Sequence, residues 1–156
     1  MMRSVAPSTG KTIRILGMAA NLTEMPPSDL SIMEVWPSND ISGYTKLLPR
    51  IVRENEWTRW FNLHSRSHMI ATYPRTFIRH LISDGSKPLY TQKFQPDIPG
   101  CVEFPREFIQ HYFATDKGPN RFFTCTIGWL LAFAILCNPK RIELWGFTLN
   151  DKPDRK

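Results

Sequence analysis

His64 and Arg66 are the residues whose types and spacing point most directly to chemistry. An imidazole titrates near neutral pH and can act as a general acid or base, and a guanidinium can balance phosphate charge. Both residues lie at or just after an apolar segment, 57–64, that is typical of a β-strand. We predict that His64 is a catalytic base and that Arg66 binds phosphate. The alternative is a hydrogen-bonded structural histidine at the rim of a sheet.

A run of small residues follows the first apolar segment, which spans 11–18 (KTIRILGM). Gly17, Ala19, Ala20 and Asn21 leave little side-chain bulk there, so backbone N–H groups can approach a phosphate or ribose closely. We predict that these four residues contact a nucleotide. The run matches neither GxGxxG nor a P-loop, and an ordinary tight turn would use the same residue types.

Ser38 and Asn39 follow the second apolar segment, 31–37 (SIMEVWP). An asparagine amide both donates and accepts hydrogen bonds, which suits recognition of a base or a ribose. Asn and Ser are equally common as turn residues. Both interpretations stay open, and the two residues are included among the candidate nucleotide ligands.

Thr124, Cys125 and Thr126 precede the longest apolar run of the chain, which favours a helix over 124–137. Hydroxyl groups at this position cap a helix. The same helix start also presents free N–H groups and the positive end of the helix dipole to an anion. We therefore predict a third part of the nucleotide site here.

The sequence lacks the motifs of several other kinds of active site. The sequence contains no GxSxG, no HExxH and no suggestively spaced pair of carboxylates, and acidic residues are sparse near the expected strand ends. We predict no metal site and no cofactor other than a nucleotide or nucleotide sugar serving as donor or ligand. The three cysteines, Cys101, Cys125 and Cys137, are odd in number and form no CxxC, which favours a reducing cytoplasm. Cys125 and Cys137 are expected to be small buried residues.

Apolar segments with strand and helix character alternate along most of the chain. Strands are expected at 11–18, 31–37, 57–64, 88–92 and 141–147, with a further extended stretch at 97–104. Helices are expected at 45–55, 73–83, 106–114 and 124–137. This alternation predicts an α/β fold: a Rossmann-like three-layer sandwich with a mostly parallel sheet.

The chain is expected to form one domain over 11–150, between a flexible leader (1–10) and a polar tail (151–156). Parallel strands are covered on both faces, so the apolar segment 142–147 should be fully buried. Such sheets bind ligands beyond the carboxyl ends of their strands. This rule, more than any single motif, supports a site at the ends of the first three strands, with the start of the helix over 124–137 as its fourth part.

The net charge and the hydropathy pattern indicate which kinds of partner the protein binds. The net charge of +6 and pI near 9.5 favour anionic ligands, but the basic residues are scattered, so a nucleic-acid partner is open rather than favoured. The N-terminus has no apolar signal region, and the run 125–137 is shorter than the roughly 20 residues of a membrane span. We expect a cytoplasmic protein without membrane contact, with a homo-oligomer possible.

Several segments together carry a family resemblance: MEVWPSND, WTRWFNLH, KPLYTQ leading to IPGCVEFP, and FFTCTIGWLLAFAILCNPKRIELWGFTL. In these the chain resembles a group of uncharacterised phage proteins with a Rossmann-like fold. That group is remotely similar to bacterial sialyltransferases and to pterin pyrophosphokinase-like proteins of unknown function. The resemblance spans about residues 11–149 and implies host cytoplasm as the location.

The resemblance also implies site positions. Thr124, Cys125 and Thr126 match a helix start, and Asn39 matches an asparagine that follows the second strand. Thr148 stands where relatives have an acidic residue, a departure that affects catalysis more than ligand binding. The catalytic histidine of the sialyltransferases does not map onto His64.

Three functions follow as hypotheses. The first is a phage enzyme that transfers a group, most simply a glycosyl group, from a nucleotide donor. The second is a non-catalytic binder of a nucleotide or metabolite. The third is a phage structural or interaction protein that reuses the fold, with exposed aromatic side chains near Trp57 docking a partner.

Overall fold

The structure, a computed structural model, describes residues 7–17, 24–39, 56–72, 86–114, 123 and 125–147. These residues contain six parallel strands and three helices. The strands are β1 (Thr12–Leu16), β2 (Met33–Pro37), β3 (Trp60–Asn62), β4 (Leu89–Thr91), β5 (Cys101–Glu103) and β6 (Arg141–Trp145). The helices are α1 (Arg66–Thr72), α2 (Arg106–Tyr112) and α3 (Thr126–Leu136). The fold is therefore α/β, as predicted.

The strands form two parallel three-stranded sheets, in the orders β2-β1-β6 and β3-β4-β5. A single parallel bridge between Ser38 and Phe61 links them, and the N–H of Asn39 donates to the carbonyl of Phe61 at 2.8 Å. This bridge places β2 beside β3. All six carboxyl ends consequently lie on one side, which we call the carboxyl edge.

An aromatic cluster packs α3 against both sheets. The ring of Phe133 on α3 lies 5.5 Å from Trp36 on β2, 5.9 Å from Phe61 on β3 and 5.5 Å from Tyr90 on β4. Trp36, Phe61 and Phe133 are fully buried. Large rings contribute much apolar area and prefer tilted or edge-on contacts, so this cluster fixes the helix over the junction of the two sheets.

A buried polar network surrounds Glu34, near the amino ends of β2 and β3. We call it the amino-edge network; it consists of Ser8, Glu34, Arg59 and the indole of Trp36, which reaches back from later in β2. Glu34 accepts hydrogen bonds from the Ser8 hydroxyl at 2.6 Å and the Trp36 indole at 2.8 Å. Arg59 pairs with the same carboxylate at 2.8 Å. Ser8, in the segment predicted to be a flexible leader, is only 2% exposed because of these contacts.

The expected strand segments contain β1 to β4 and β6, and the extended stretch 97–104 contains β5. The helices α2 and α3 lie within the segments 106–114 and 124–137. Helix α1 was not predicted. The helices expected at 45–55 and 73–83 lie outside the described residues. No helix in the described ranges is long and apolar enough to cross a membrane.

Three burial predictions were wrong. β6 lies at the edge of its sheet, so Leu144 is 46% exposed instead of being covered on both faces. Cys125 is exposed, whereas Cys137 is buried as expected. Trp57 is buried with its ring edge-on to Trp60 at 5.6 Å, so it offers no exposed docking surface.

Candidate functional site

A cavity of about 630 Å³ opens at the carboxyl edge. Every strand contributes a lining residue within two positions of its last residue: Gly17, Asn39, His64, Gln92, Phe104 and Phe147, in the order β1 to β6. The first turn of α3 closes one side with Cys125, Thr126 and Ile127. Small-molecule sites typically enclose about 300–1,000 Å³, so the cavity has the size of a ligand site.

The cavity brings together most of the described residues that the sequence predicted for the site. Gly17, Ser38, Asn39, His64, Cys125 and Thr126 all line it. Arg66 does not belong to its lining. Ala19, Ala20, Asn21 and Thr124 lie outside the described residues.

Gly17 is needed for contact between β1 and β6. Its N–H donates to the carbonyl of Trp145 at 2.7 Å. A Cβ atom at Gly17 would lie 2.4 Å from the carbonyl oxygen of Gly146 and 2.5 Å from the Phe147 ring. The sequence analysis attributed this glycine to the close approach of a ligand. In the structure, the backbone of Gly146 approaches Gly17 instead. The N–H of Gly17 is therefore occupied by β6.

The hydroxyl of Ser38 is likewise hydrogen-bonded within the protein. Its hydroxyl donates to the carbonyl of Leu16 at 2.7 Å, and its side chain is buried. Ser38 therefore ties the end of β2 to the end of β1 and forms part of the cavity floor.

Asn39 has a fixed backbone and an unpaired side-chain oxygen. Its φ is +54°, in the left-handed region that asparagine tolerates better than most residues. The indole of Trp60 donates to its carbonyl at 3.1 Å, and its N–H is bonded to Phe61. Within the described residues its buried Oδ1 has no hydrogen-bond partner. A ligand that donates a hydrogen bond to this buried oxygen would supply the partner that it lacks.

His64 lies just beyond β3 and before α1. The backbone N–H of His64 donates to Oδ1 of Asn62 at 3.3 Å, and the centroid of its imidazole ring lies 4.4 Å from that of His68. Burial lowers the pKa of His64, and the charge of His68 lowers it further. The imidazole is therefore neutral at neutral pH, which is the form that can accept a proton.

Arg66 points to a carboxylate instead of the cavity. Its guanidinium binds Asp97 through two hydrogen bonds of 2.7 and 2.6 Å and donates a third, of 3.2 Å, to Gln95. The Arg66 hydrogen bond holds the pKa of Asp97 below its usual value. The guanidinium thus joins α1 to the segment before β5.

Arg106 is a cavity cation that the sequence did not point out. It is the first residue of α2 and lies over the Trp129 ring, 4.7 Å from its centroid. The segment 97–104 was predicted as extended but was not counted among the strands, so the residues after it were not considered as a strand exit. Counting it would have identified Arg106 by the rule that selected His64.

The start of α3 faces the cavity, and no described side chain caps it. Cys125 occupies the N-cap position in an extended conformation, and its side chain makes no capping hydrogen bond. Its thiol is exposed in the cavity wall. The first N–H groups of a helix need an acceptor from side chains, water or a ligand.

Aromatic rings form the wall beside α3. Phe123 lies 4.7 Å from Trp129 at 34°, and Phe104 meets Trp129 edge-on at 6.2 Å. Phe147 completes the wall from β6. Flat apolar surfaces of this kind suit stacking with a planar heterocycle.

Within the described ranges, no three His, Cys, Asp or Glu side chains are grouped so as to hold a metal ion. Comparison of the chain with protein-family models, with curated proteins and with solved structures finds no match. The geometry of the cavity is therefore the basis on which a function can be inferred.

Proposed function

We propose that this protein binds a nucleotide, or a nucleotide-linked small molecule such as a nucleotide sugar, in the cavity at the carboxyl edge. One observation carries the proposal: residues beyond all six parallel strands line a single cavity. β1 is a topological switch point of the sheet. Its neighbour on one side is β2, the next strand along the chain, and its neighbour on the other side is β6, the last described strand. Ligands of open α/β sheets bind at such a switch point.

The proposal includes a finer description of the fold. We propose that the two sheets act as one Rossmann-like sheet within a three-layer sandwich, joined where Ser38 bridges to Phe61. The 2.8 Å hydrogen bond from the N–H of Asn39 to the carbonyl of Phe61 supports this arrangement.

The cavity wall offers a complementary group for each part of a nucleotide. The ring of Phe147 suits a base, and the start of α3, which has no side-chain cap among the described residues, suits a phosphate. The orphan Oδ1 of Asn39 suits a donor on the base or ribose. These groups share one cavity of nucleotide size, which is why a nucleotide is preferred over a smaller metabolite.

Group transfer, most simply of a glycosyl group, is the second candidate function. His64 lines the cavity with its pKa lowered, so its neutral ring could take the proton of an acceptor hydroxyl. That oxygen would attack the anomeric carbon of the donor sugar, and the bond from this carbon to the phosphate oxygen would break as the nucleotide leaves with the electron pair. No carboxylate is found among the described lining residues, which leaves His64 as the candidate base.

Thermal unfolding of the full chain with nucleotides and nucleotide sugars tests the proposal. A ligand at a hundredfold excess over its dissociation constant should stabilise the protein by about 3 kcal/mol. Asn39→Gly keeps the left-handed backbone but removes the amide, so we expect affinity to fall about fivefold to tenfold, the value of one hydrogen bond.

Asn138→Gly is the matched control, because Asn138 has φ +50° but lies beyond the end of α3, away from the cavity lining. It should leave affinity unchanged. If no nucleotide or nucleotide sugar stabilises the wild-type chain, the proposal is wrong and the interaction-protein hypothesis gains. Loss of donor turnover with retained binding in His64→Gln would support transfer; binding without turnover in the wild type would identify a non-catalytic binder.

A further inference from the structure

We infer that Arg106 is the specificity-determining residue that makes the cavity select phosphorylated ligands over their unphosphorylated counterparts. This inference rests on the proposed function, and it names the group of the ligand that is recognised. It also replaces Arg66, the arginine that the sequence favoured for that role.

The ion pairs of the described arginines single out Arg106. Four of the five described arginines form ion pairs: Arg14 with Glu143, Arg59 with Glu34, Arg66 with Asp97, and Arg141 with Glu143. Arg106 forms no ion pair with any carboxylate in the described part of the chain, and it is exposed at the cavity wall. Its positive charge is therefore available to a ligand.

The resting position of Arg106 does not compete with a phosphate. The guanidinium lies over the indole of Trp129, whose side chain is buried and held between neighbouring rings. A cation–π contact at an exposed site is weak, whereas a guanidinium binds phosphate through two parallel, charge-assisted hydrogen bonds. The side chain can turn from the indole to a ligand with little loss.

The surroundings favour an anion at this end of the cavity. The uncapped start of α3 brings N–H groups and the positive dipole end to the same wall. Without a carboxylate among the described lining residues, nothing described there opposes negative charge. A phosphate would therefore have two partners, one on α2 and one on α3.

Asn39 and Arg106 serve different ends of the ligand. They follow β2 and β5, which are three strand spacings apart across the joined sheets, or about 14 Å. That separation exceeds the size of a phosphate group and suits a nucleotide with a base or ribose at one end and phosphate at the other. The two residues should accordingly affect affinity in distinguishable ways.

Calorimetric titration of the full chain with the common nucleosides and their 5′-monophosphates tests the inference. We expect the wild type to bind the preferred monophosphate more tightly than its nucleoside. Arg106→Gln should weaken the monophosphate at least tenfold and change nucleoside affinity less than twofold. Arg106→Lys, which keeps the charge but loses the paired donors, should lie between these values. Asn39→Gly should weaken both compounds by the same factor.

Arg141→Gln is the matched control, because Arg141 is an exposed arginine on β6 outside the cavity lining. It should leave both affinities unchanged. Equal weakening of nucleoside and monophosphate in Arg106→Gln, or no weakening, would overturn the inference while nucleotide binding stands. A wild type that binds neither compound nor any nucleotide sugar would overturn the proposed function as well.

Discussion

The two ends of the strands differ in how completely their polar groups are paired. In the amino-edge network, the carboxylate of Glu34 accepts from a hydroxyl, an indole and a guanidinium, all in a buried site. At the carboxyl edge, the Oδ1 of Asn39 has no partner among the described residues, and Arg106 has no carboxylate. The polar groups of the amino edge are paired with one another, whereas those at the carboxyl edge lack a partner among the described residues, as the proposed function requires.

This difference teaches where to look for function in an α/β chain. Pairing a buried polar group stabilises the fold, and leaving one unpaired costs stability unless a ligand satisfies it. Polar residue types at strand ends are common to both edges. Only the state of their partners separates a structural residue from a candidate binding residue.

The largest expected effect is at the amino edge. Glu34→Gln removes the charge that Arg59 pairs with, and loss of one partner of a buried pair costs about 3–5 kcal/mol. Urea unfolding measures the change in the free energy of unfolding. Glu103→Gln, which affects an exposed pair with Lys93, is the control and should cost less than about 1 kcal/mol. Equal costs would mean that the amino-edge network is not the fixed part of the molecule.

A smaller effect is expected where β1 meets β6. Gly17→Ala places a methyl group 2.4 Å from the Gly146 carbonyl oxygen, and overpacking of this kind costs about 1–3 kcal/mol. Gly10→Ala is the comparison, because φ there is +82° but the added Cβ meets no atom within 4 Å. It should cost only the left-handed strain, about 1 kcal/mol. A Gly17→Ala protein of wild-type stability would restore the explanation by ligand approach.

The smallest effect is the pH dependence contributed by His64. Its pKa is lowered in the folded state, so the unfolded chain binds the proton more readily. The stability that follows is present above the unfolded pKa of about 6.5 and is lost as the pH falls below it. The melting temperature of His64→Gln should therefore fall less than that of the wild type between pH 7.5 and 5.5. Parallel curves for the two proteins would contradict the lowered pKa of His64.

Much of the fold could be predicted because its signals are local. Runs of aliphatic, β-branched and aromatic residues marked β1 to β4 and β6, and Pro105 and Pro139 bounded the segments of α2 and α3. Helix α1 was missed because it has seven residues and a mostly exposed surface, with Met69 its one buried side chain among those described. So short a helix shows little apolar periodicity.

The candidate site was predictable in position but not in detail. The rule of strand ends selected Gly17, Asn39 and His64, and the structure brings them to one cavity. It could not reveal that Arg66 is bound to Asp97, 31 residues away, while Arg106 pairs with no carboxylate in the described ranges. Partners this distant in sequence leave no local pattern.

The sequence by itself determined the α/β alternation, and with it the strand ends at which polar residues would meet. Apolar periodicity and turn residues act over a few positions and can be recognised in one chain. The tertiary structure alone decided which of those polar groups are already satisfied, because hydrogen bonds and ion pairs depend on distances between segments far apart in the sequence. For that reason a site at the strand ends could be predicted, whereas the contacts of Gly17, Arg66 and Arg106 became clear only in the folded protein.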